Sequence, residues 1–274
     1  MLLIGLEKEQ YELLKAPINH HILISGPRGS GKTSLIKFLA NAKRRRLTFI
    51  SSATTNLDHI LTTLLSVKKG DIIAIDEIHR LNKVMEEALY VPMEEFILYI
   101  PTQYGGTTQI KLPQFTLIGT TTQLSALSKA LKSRFVLHIQ IPTYSLKTLS
   151  KIVKVNFPNL TLKDSVLIAH HSIVPREAIN LAKRVVSLGL GVQQGLAFLG
   201  YKNGLTSLEF KYLDLLKSQE RLSLNSISSI LQISKEDVQL LEEKLLRRKL
   251  IKITSSGRSL TFEGLLLLRK GGRL

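Results

Sequence analysis

The stretch "IAIDEIHRL" (73–81) ends an apolar run in two adjacent carboxylates, Asp76 and Glu77, with His79 and Arg80 close behind. Ile72, Ile73 and Ile75 mark the backbone before them as interior. Charges at the end of such a run are costly unless a cation or a reacting water meets them. A second stretch, "GPRGSGKTS" (26–34), supplies the cation. It fits G-x-x-x-x-G-K-[ST] at Gly26, Gly31, Lys32 and Thr33, directly after the apolar "HILIS" (21–25). A glycine-rich turn opening a helix lets backbone N–H groups wrap phosphates. Pro27, Gly29 and Ser34 belong to the same turn and helix start. Lys32 can reach the β- and γ-phosphates, and the Thr33 hydroxyl can ligate Mg²⁺. Asp76 can then hold that Mg²⁺ through water, and Glu77 can polarise an attacking water as general base. The chemistry is nucleoside triphosphate hydrolysis.

Three later residues could serve the same site. Thr122, in "TTTQ" (120–123) at the tip of an apolar run, can sense a γ-phosphate, although plain turn chemistry explains it equally well. Arg134, in "LKSRF" (131–135), could act as an arginine finger on a neighbouring subunit's nucleotide. Arg176, in "VPREAIN" (174–180), follows a Pro at a helix start and could touch the γ-phosphate. Taken alone, each Arg reads as a surface residue.

Short apolar runs alternating with helical patterns must position these residues. "HILIS", "DIIAID" (71–76) and "FTLIGT" (115–120) read as strands. A helix runs from about Lys32 to Asn41, and another over 84–96 is expected to break at Pro92. This alternation predicts an α/β fold with a parallel sheet and helices on both faces. "ILYIPTQYGGTTQIKLPQ" (97–114) interrupts it as a hairpin turning at Gly105-Gly106. From Tyr144 amphipathic helices take over, as in "SLKTLSKIVKV" and "REAINLAKRVVSLG". From about Leu205 the pattern is three helices and a hairpin around Ser256-Gly257, a winged-helix signature whose third helix usually enters a DNA groove. The reading divides the chain into an ATPase domain (1–143), a helical lid (144–204) and a winged-helix domain (205–274).

The 274 residues carry a formal charge of +17 and no Cys, which excludes disulfides and thiolate metal sites. The excess is +6 over 1–143, +6 over 144–205 and +5 over 206–274, so it forms no single basic tail. Such a balance favours a polyanion, most simply nucleic acid, unless the source proteome is Lys-rich throughout. "KRRR" (43–46) reads as a solvated face. Neither His20-His21 nor His170-His171 can easily chelate one metal, because neighbouring side chains diverge. No signal peptide or membrane-spanning run is read, and a soluble cytoplasmic protein is expected.

Together, "HILISGPRGSGKTS", "GDIIAIDEIHRLNKVMEEALYVPMEEF", "KLPQFTLIGTTTQ", "LKSRF" and "VPREAIN" resemble the RuvB-type Holliday-junction branch-migration motors, which are AAA+ ATPases. The resemblance runs from about Ile4 to the C-terminal wing. It implies hexameric rings on duplex and four-way-junction DNA, driven by ATP with Mg²⁺ and engaged by a junction-binding RuvA partner. It makes Lys32 and Thr33 the phosphate and Mg²⁺ ligands, and Asp76 and Glu77 the Walker B pair. It assigns sensor 1 to Thr122, the finger to Arg134 and sensor 2 to Arg176. The 97–113 hairpin matches the RuvA-docking element, Arg258 an Arg of the DNA-contacting wing, and Ile4 part of the adenine pocket. The departures are Gln123 for an Arg, no Gly before "VPR", Ser256 for a second wing Arg, and a shortened hairpin. The sequence begins close to Ile4, which predicts a less enclosed adenine and weaker nucleotide affinity. The rival reading is a reduced AAA+ scaffold that binds DNA or a partner and uses ATP only for assembly. A clamp-loader-type ATPase fits less well, because of "IDEIHRL" and the winged-helix end.

Overall fold

The apolar runs that carry the two motifs become strands of one parallel sheet. The structure is a computed structural model that describes residues 3–17, 20–101, 106–219 and 221–271. The chain forms two compact units, Met1–Thr143 and Tyr144–Leu274. The first unit runs α1 (Glu7–Lys15), β1 (Ile22–Ser25), α2 (Lys32–Ala42), β2 (Leu47–Ser51), α3 (Leu57–Leu65), β3 (Ile72–Asp76) and α4 (Lys83–Glu94). It continues with β4 (Ile97–Pro101), β5 (Thr107–Lys111), β6 (Thr116–Thr121), α5 (Lys129–Ser133) and β7 (Leu137–Gln140). Strands are ordered β2-β3-β6-β1-β7, and each pairing is parallel. Every residue of β1 and β6 is buried, as expected for strands covered on both faces. β6 lies between the strand leading to the glycine-rich turn and the strand ending in the acids. Its register pairs Ser25 with Thr121 and Ile75 with Gly119, so the three carboxyl ends share one edge.

Gly119 in β6 has a packing role. A Cβ there would lie 3.0 Å from Phe135 Cζ and 3.1 Å from Ile78 Cδ1, so its absence lets both side chains seat on the strand. The expected break at Pro92 does not occur. α4 runs through it, and Glu95 N–H still donates to Val91 O at 2.8 Å. Pro92 falls in the last turn and is buried with Met85, Leu89 and Met93. Packing of that face outweighs the one intrahelical bond that the missing N–H removes. The strands β4 and β5 pair antiparallel as the expected hairpin, while its turn at Gly105 lies outside the described residues. "KRRR" is less solvated than expected. Arg46 Nε donates to Asp71 Oδ2 at 2.9 Å, and Lys43 Nζ donates to Ala16 O at 3.0 Å.

The second unit begins with α6 (Leu146–Asn156), α7 (Leu162–His170), α8 (Pro175–Ser187) and α9 (Val192–Phe198). These helices close on Val153, Ile168, Leu181, Val185 and Leu196. A two-residue-per-strand hairpin, β8 (Tyr201–Lys202) and β9 (Leu205–Thr206), leads into α10 (Ser207–Ser218), α11 (Leu224–Leu231) and α12 (Lys235–Arg247). β10 (Ile251–Thr254) and β11 (Gly257–Leu260) form the wing, and α13 (Phe262–Gly271) follows. A second core, with Tyr212, Leu213, Ile227, Val238 and Leu245, holds this part together.

His21 shows why the adjacent histidines are not ligands. Its Nε2–H donates to Met93 O and its Nδ1 accepts from Leu117 N–H, both at 2.8 Å, so the ring ties α4 to β6. Among the described residues there is no cluster of three His, Asp or Glu fit for a metal. Burial pushes the His21 pKa down to about 4. The unfolded chain therefore binds more protons than the folded one between pH 6.5 and about 4. Stability should fall as pH drops through that window, by up to about 3 kcal/mol from this residue alone. Urea unfolding at stepped pH should show the slope, and His21→Gln should flatten its share of it.

Candidate functional site

The sequence between β1 and α2 can only close as a glycine turn. Gly26, Gly29 and Gly31 all have positive φ, 158°, 79° and 105°. A Cβ on Gly26 would sit 2.9 Å from Ile141 Cβ and 3.2 Å from Ser30 Oγ, so the loop is pressed against the start of the next segment. α2 starts with Gly31 as its N-cap, without a side-chain cap and without an acid in its first turn. Its first backbone N–H groups are thus turned toward the loop with no carboxylate beside them, which suits an anion. Lys32 is buried, and its Nζ donates to Gly26 O at 2.7 Å and Pro27 O at 3.1 Å. Thr33 is half-buried and Ser34 exposed on the same first turn.

The two acids stand at the tip of β3 and not in the interior. Ile75 is buried, Asp76 is exposed and Glu77 is half-buried. The strand is interior, but its end emerges at the sheet edge, so the desolvation cost expected for the pair is largely avoided. Glu77 has φ 50° and ψ 49°, a left-handed conformation rare outside glycine. Neighbours on two strands hold it there. Glu77 N–H donates to Thr120 Oγ1 at 3.3 Å, and Ser52 Oγ donates to Glu77 O at 2.9 Å. Its carboxylate Oε2 accepts from both the N–H and the hydroxyl of Thr122 at 2.9 Å each. His79 Nδ1 lies 3.3 Å from the same Oε2 and 2.9 Å from Thr121 Oγ1. Burial lowers the His79 pKa, against the pull of Glu77 and with the push of Arg80 and Lys32. Asp76 Oδ1 accepts from the buried Thr120 hydroxyl at 2.5 Å.

A P-loop domain model of the Holliday junction DNA helicase RuvB matches residues 12–141, and a RuvB C-terminal winged helix model matches 202–269. The chain is 36% identical to the Holliday junction branch migration complex subunit RuvB of Mycoplasmopsis pulmonis, over 91% of this chain and 87% of that one. The chain belongs to the RuvB family. The Orientia tsutsugamushi (strain Ikeda) RuvB subunit is 35% identical over 89% of this chain and 83% of its own. The solved Thermotoga maritima RuvB Holliday junction branch migration motor is 27% identical, with a TM-score of 0.79 over 96% of this chain and 93% of that one. The fold is therefore the AAA+-like P-loop fold of RuvB, with a separate helical and winged-helix C-terminal part.

Other expected site residues sit less simply. The Thr122 hydroxyl is engaged with Glu77. Thr120 and Ser52 have no motif to flag them, since the first is read as strand core and the second as loop. Ile4 is half-buried in the turn before α1, which is braced by Leu3 N–H to Gln10 Oε1 at 3.1 Å and Gly5 N–H to Glu7 Oε1 at 3.0 Å. Arg134 caps the C-terminus of α5 and packs within its own unit. Arg176 is exposed in the first turn of α8, just after Pro175.

Arg258 is engaged within the second unit. Its Nε donates to Glu242 Oε1 at 2.8 Å and its Nη2 to Oε2 at 3.3 Å, and the buried Tyr212 hydroxyl donates to Oε1 at 2.8 Å. A buried carboxylate on α12 demands a cation, and Arg258 supplies it. The exposed side of α12 carries Gln239, Leu240, Glu243 and Leu246, and Arg247 pairs with Glu243. Lys235 is exposed at the start of the same helix, so this side is mixed in charge.

Thr122→Val keeps the backbone N–H on Glu77 but loses the hydroxyl. ATP turnover should drop about tenfold or more with ATP binding intact, measured by steady-state kinetics beside a fluorescent-nucleotide titration. Glu242→Ala strands Arg258 and the Tyr212 hydroxyl. It should cost about 3 kcal/mol in urea unfolding, with the loss confined to the second unit's transition.

Proposed function

We propose that the chain is an ATP-hydrolysing DNA motor that drives Holliday-junction branch migration in recombination and repair. Membership of the RuvB family supports ATP-dependent motor activity of this class. The observation that carries the reading is the grip on Glu77. Three contacts converge on Oε2, so Oε1 is the oxygen positioned to take a proton from an attacking water. Lys32 and the N–H groups of the glycine turn would hold the phosphates of ATP. Thr33 and Asp76 would hold Mg²⁺, and their oxygen donors suit that ion. Bound Mg²⁺ offsets charge on the β,γ-phosphates. The Thr120 bond fixes the Asp76 carboxylate for that task.

In this reading the ATP site is shared between copies in a ring, hexameric by family likeness. Arg134 serves the neighbour's nucleotide and Arg176 closes from a helical lid (144–204), with the winged helix (205–274) beyond it. The 97–113 hairpin engages a RuvA-like partner on duplex or four-way-junction DNA. DNA contact falls on phosphates, through exposed cations such as Lys249 and Lys252 at the wing. Among the described residues no helix is long and apolar enough to cross a membrane, and a cytoplasmic location follows from the activity. The second reading, an assembly scaffold, is favoured by the internal commitment of Arg258.

Glu77→Gln separates the two. The motor requires that the variant still bind ATP and junction DNA while turnover falls about a thousandfold and branch migration stops. Lys32→Ala should lose ATP binding itself. Junction processing by Glu77→Gln at the unsubstituted rate would leave only the scaffold.

A further inference from the structure

The stretch "EEALYVPMEEF" helps carry the family resemblance, yet none of its side chains enters the hydrolysis centre. Glu86, Tyr90 and Glu94 are four residues apart and share one face of α4. That face meets both ends of α5. At the N-terminal end, the Ser128 cap accepts from Leu131 N–H at 3.0 Å and donates its hydroxyl to Glu86 Oε1. The Tyr90 hydroxyl donates to the same Oε1 at 2.7 Å. At the C-terminal end, the guanidinium of Arg134 lies 4.0 Å above the centre of the Tyr90 ring. Its Nη1 donates to Ala130 O at 2.6 Å, and its Nη2 pairs with Glu94 at 3.2 Å. Phe135, the next residue, is buried in the sheet core and anchors the backbone.

We propose that Tyr90 is a positioning residue for Arg134. Its ring is a flat platform that fixes the guanidinium plane, so that one orientation is offered to the neighbouring copy's nucleotide. A guanidinium stacks on an aromatic face through charge and shape together, and a preset plane loses less freedom on meeting phosphate oxygens. The Glu86 bond stops the ring from turning, and the Ser128 bond to the same carboxylate ties the platform to the helix that carries Arg134. This inference rests on the reading of Arg134 as an arginine finger.

The test is junction-stimulated ATP turnover by the full chain. Tyr90→Leu should lower kcat about fivefold or more while KM for ATP stays within about twofold. Tyr90→Phe keeps the ring and should restore most of the rate. In an Arg134→Ala background, Tyr90→Leu should cause no further loss. If Tyr90→Leu does not fold by circular dichroism, Tyr90→Met carries the same expectation. An equal loss in the Arg134→Ala background would mean structural damage and overturn the proposal. Slow Arg134→Ala beside a fast Tyr90→Leu would leave the finger standing and remove Tyr90 from its support. Wild-type turnover by Arg134→Ala would overturn both.

Discussion

The arrangement depends on holding one carboxylate at a strand tip in a backbone conformation it would not choose. Glu77 leaves β3 in the left-handed region, which costs a side-chain-bearing residue about 1 kcal/mol or more. Its N–H, its carbonyl and its Oε2 are each bonded to a different neighbour. Thr120 lies in β6, and Thr122 and Ser52 follow directly on β6 and β2, so the acid is placed by the sheet register. A slip of one residue between β3 and β6 would turn Thr120 away from the acids. The continuous burial of these strands therefore sets the placement of the acids as much as their own backbone does.

The same logic recurs in the second unit with a different result. Glu242 is buried on α12 and draws Tyr212 and Arg258 to itself, joining α10, α12 and the wing through one carboxylate. Lys244 makes a similar tie to Glu209, which caps α10 together with Thr206. These networks consume cations that a basic count assigns to DNA. The formal charge of +17 already subtracts the acids in these pairs, so what the networks remove is particular side chains, Arg258 and Lys244 among them, and not the overall excess.

Both motifs and the parallel α/β core were legible because each is local. Spacing identified the glycine turn, and apolar runs bracketed it. What escaped was set by tertiary context. Pro92 obeys the local rule for breaking a helix, but burial of its face overrides the rule. The seven-residue α9 and nine-residue α7 were not read, being too short for a clear period. Arg258 and Glu242 stand sixteen residues apart with no pattern to link them. His21 looked like half of a histidine pair and is instead a buried bridge between backbone groups. Thr122 is visible in the sequence as a polar residue at a strand tip, while its bond to Glu77 is one no spacing could reveal.

The absent side chain at Gly119 has a mechanical consequence. It lets Phe135 rest directly on β6, two residues before the threonine pair whose second member grips Glu77. The strand that steadies Glu77 is thus the strand that backs the residue next to Arg134. Close-packed interiors transmit strain. A displacement of β6 at one end of this lever reaches both positions together. A side chain that filled this gap would therefore disturb the hold on Glu77 and the backbone beside Arg134 together.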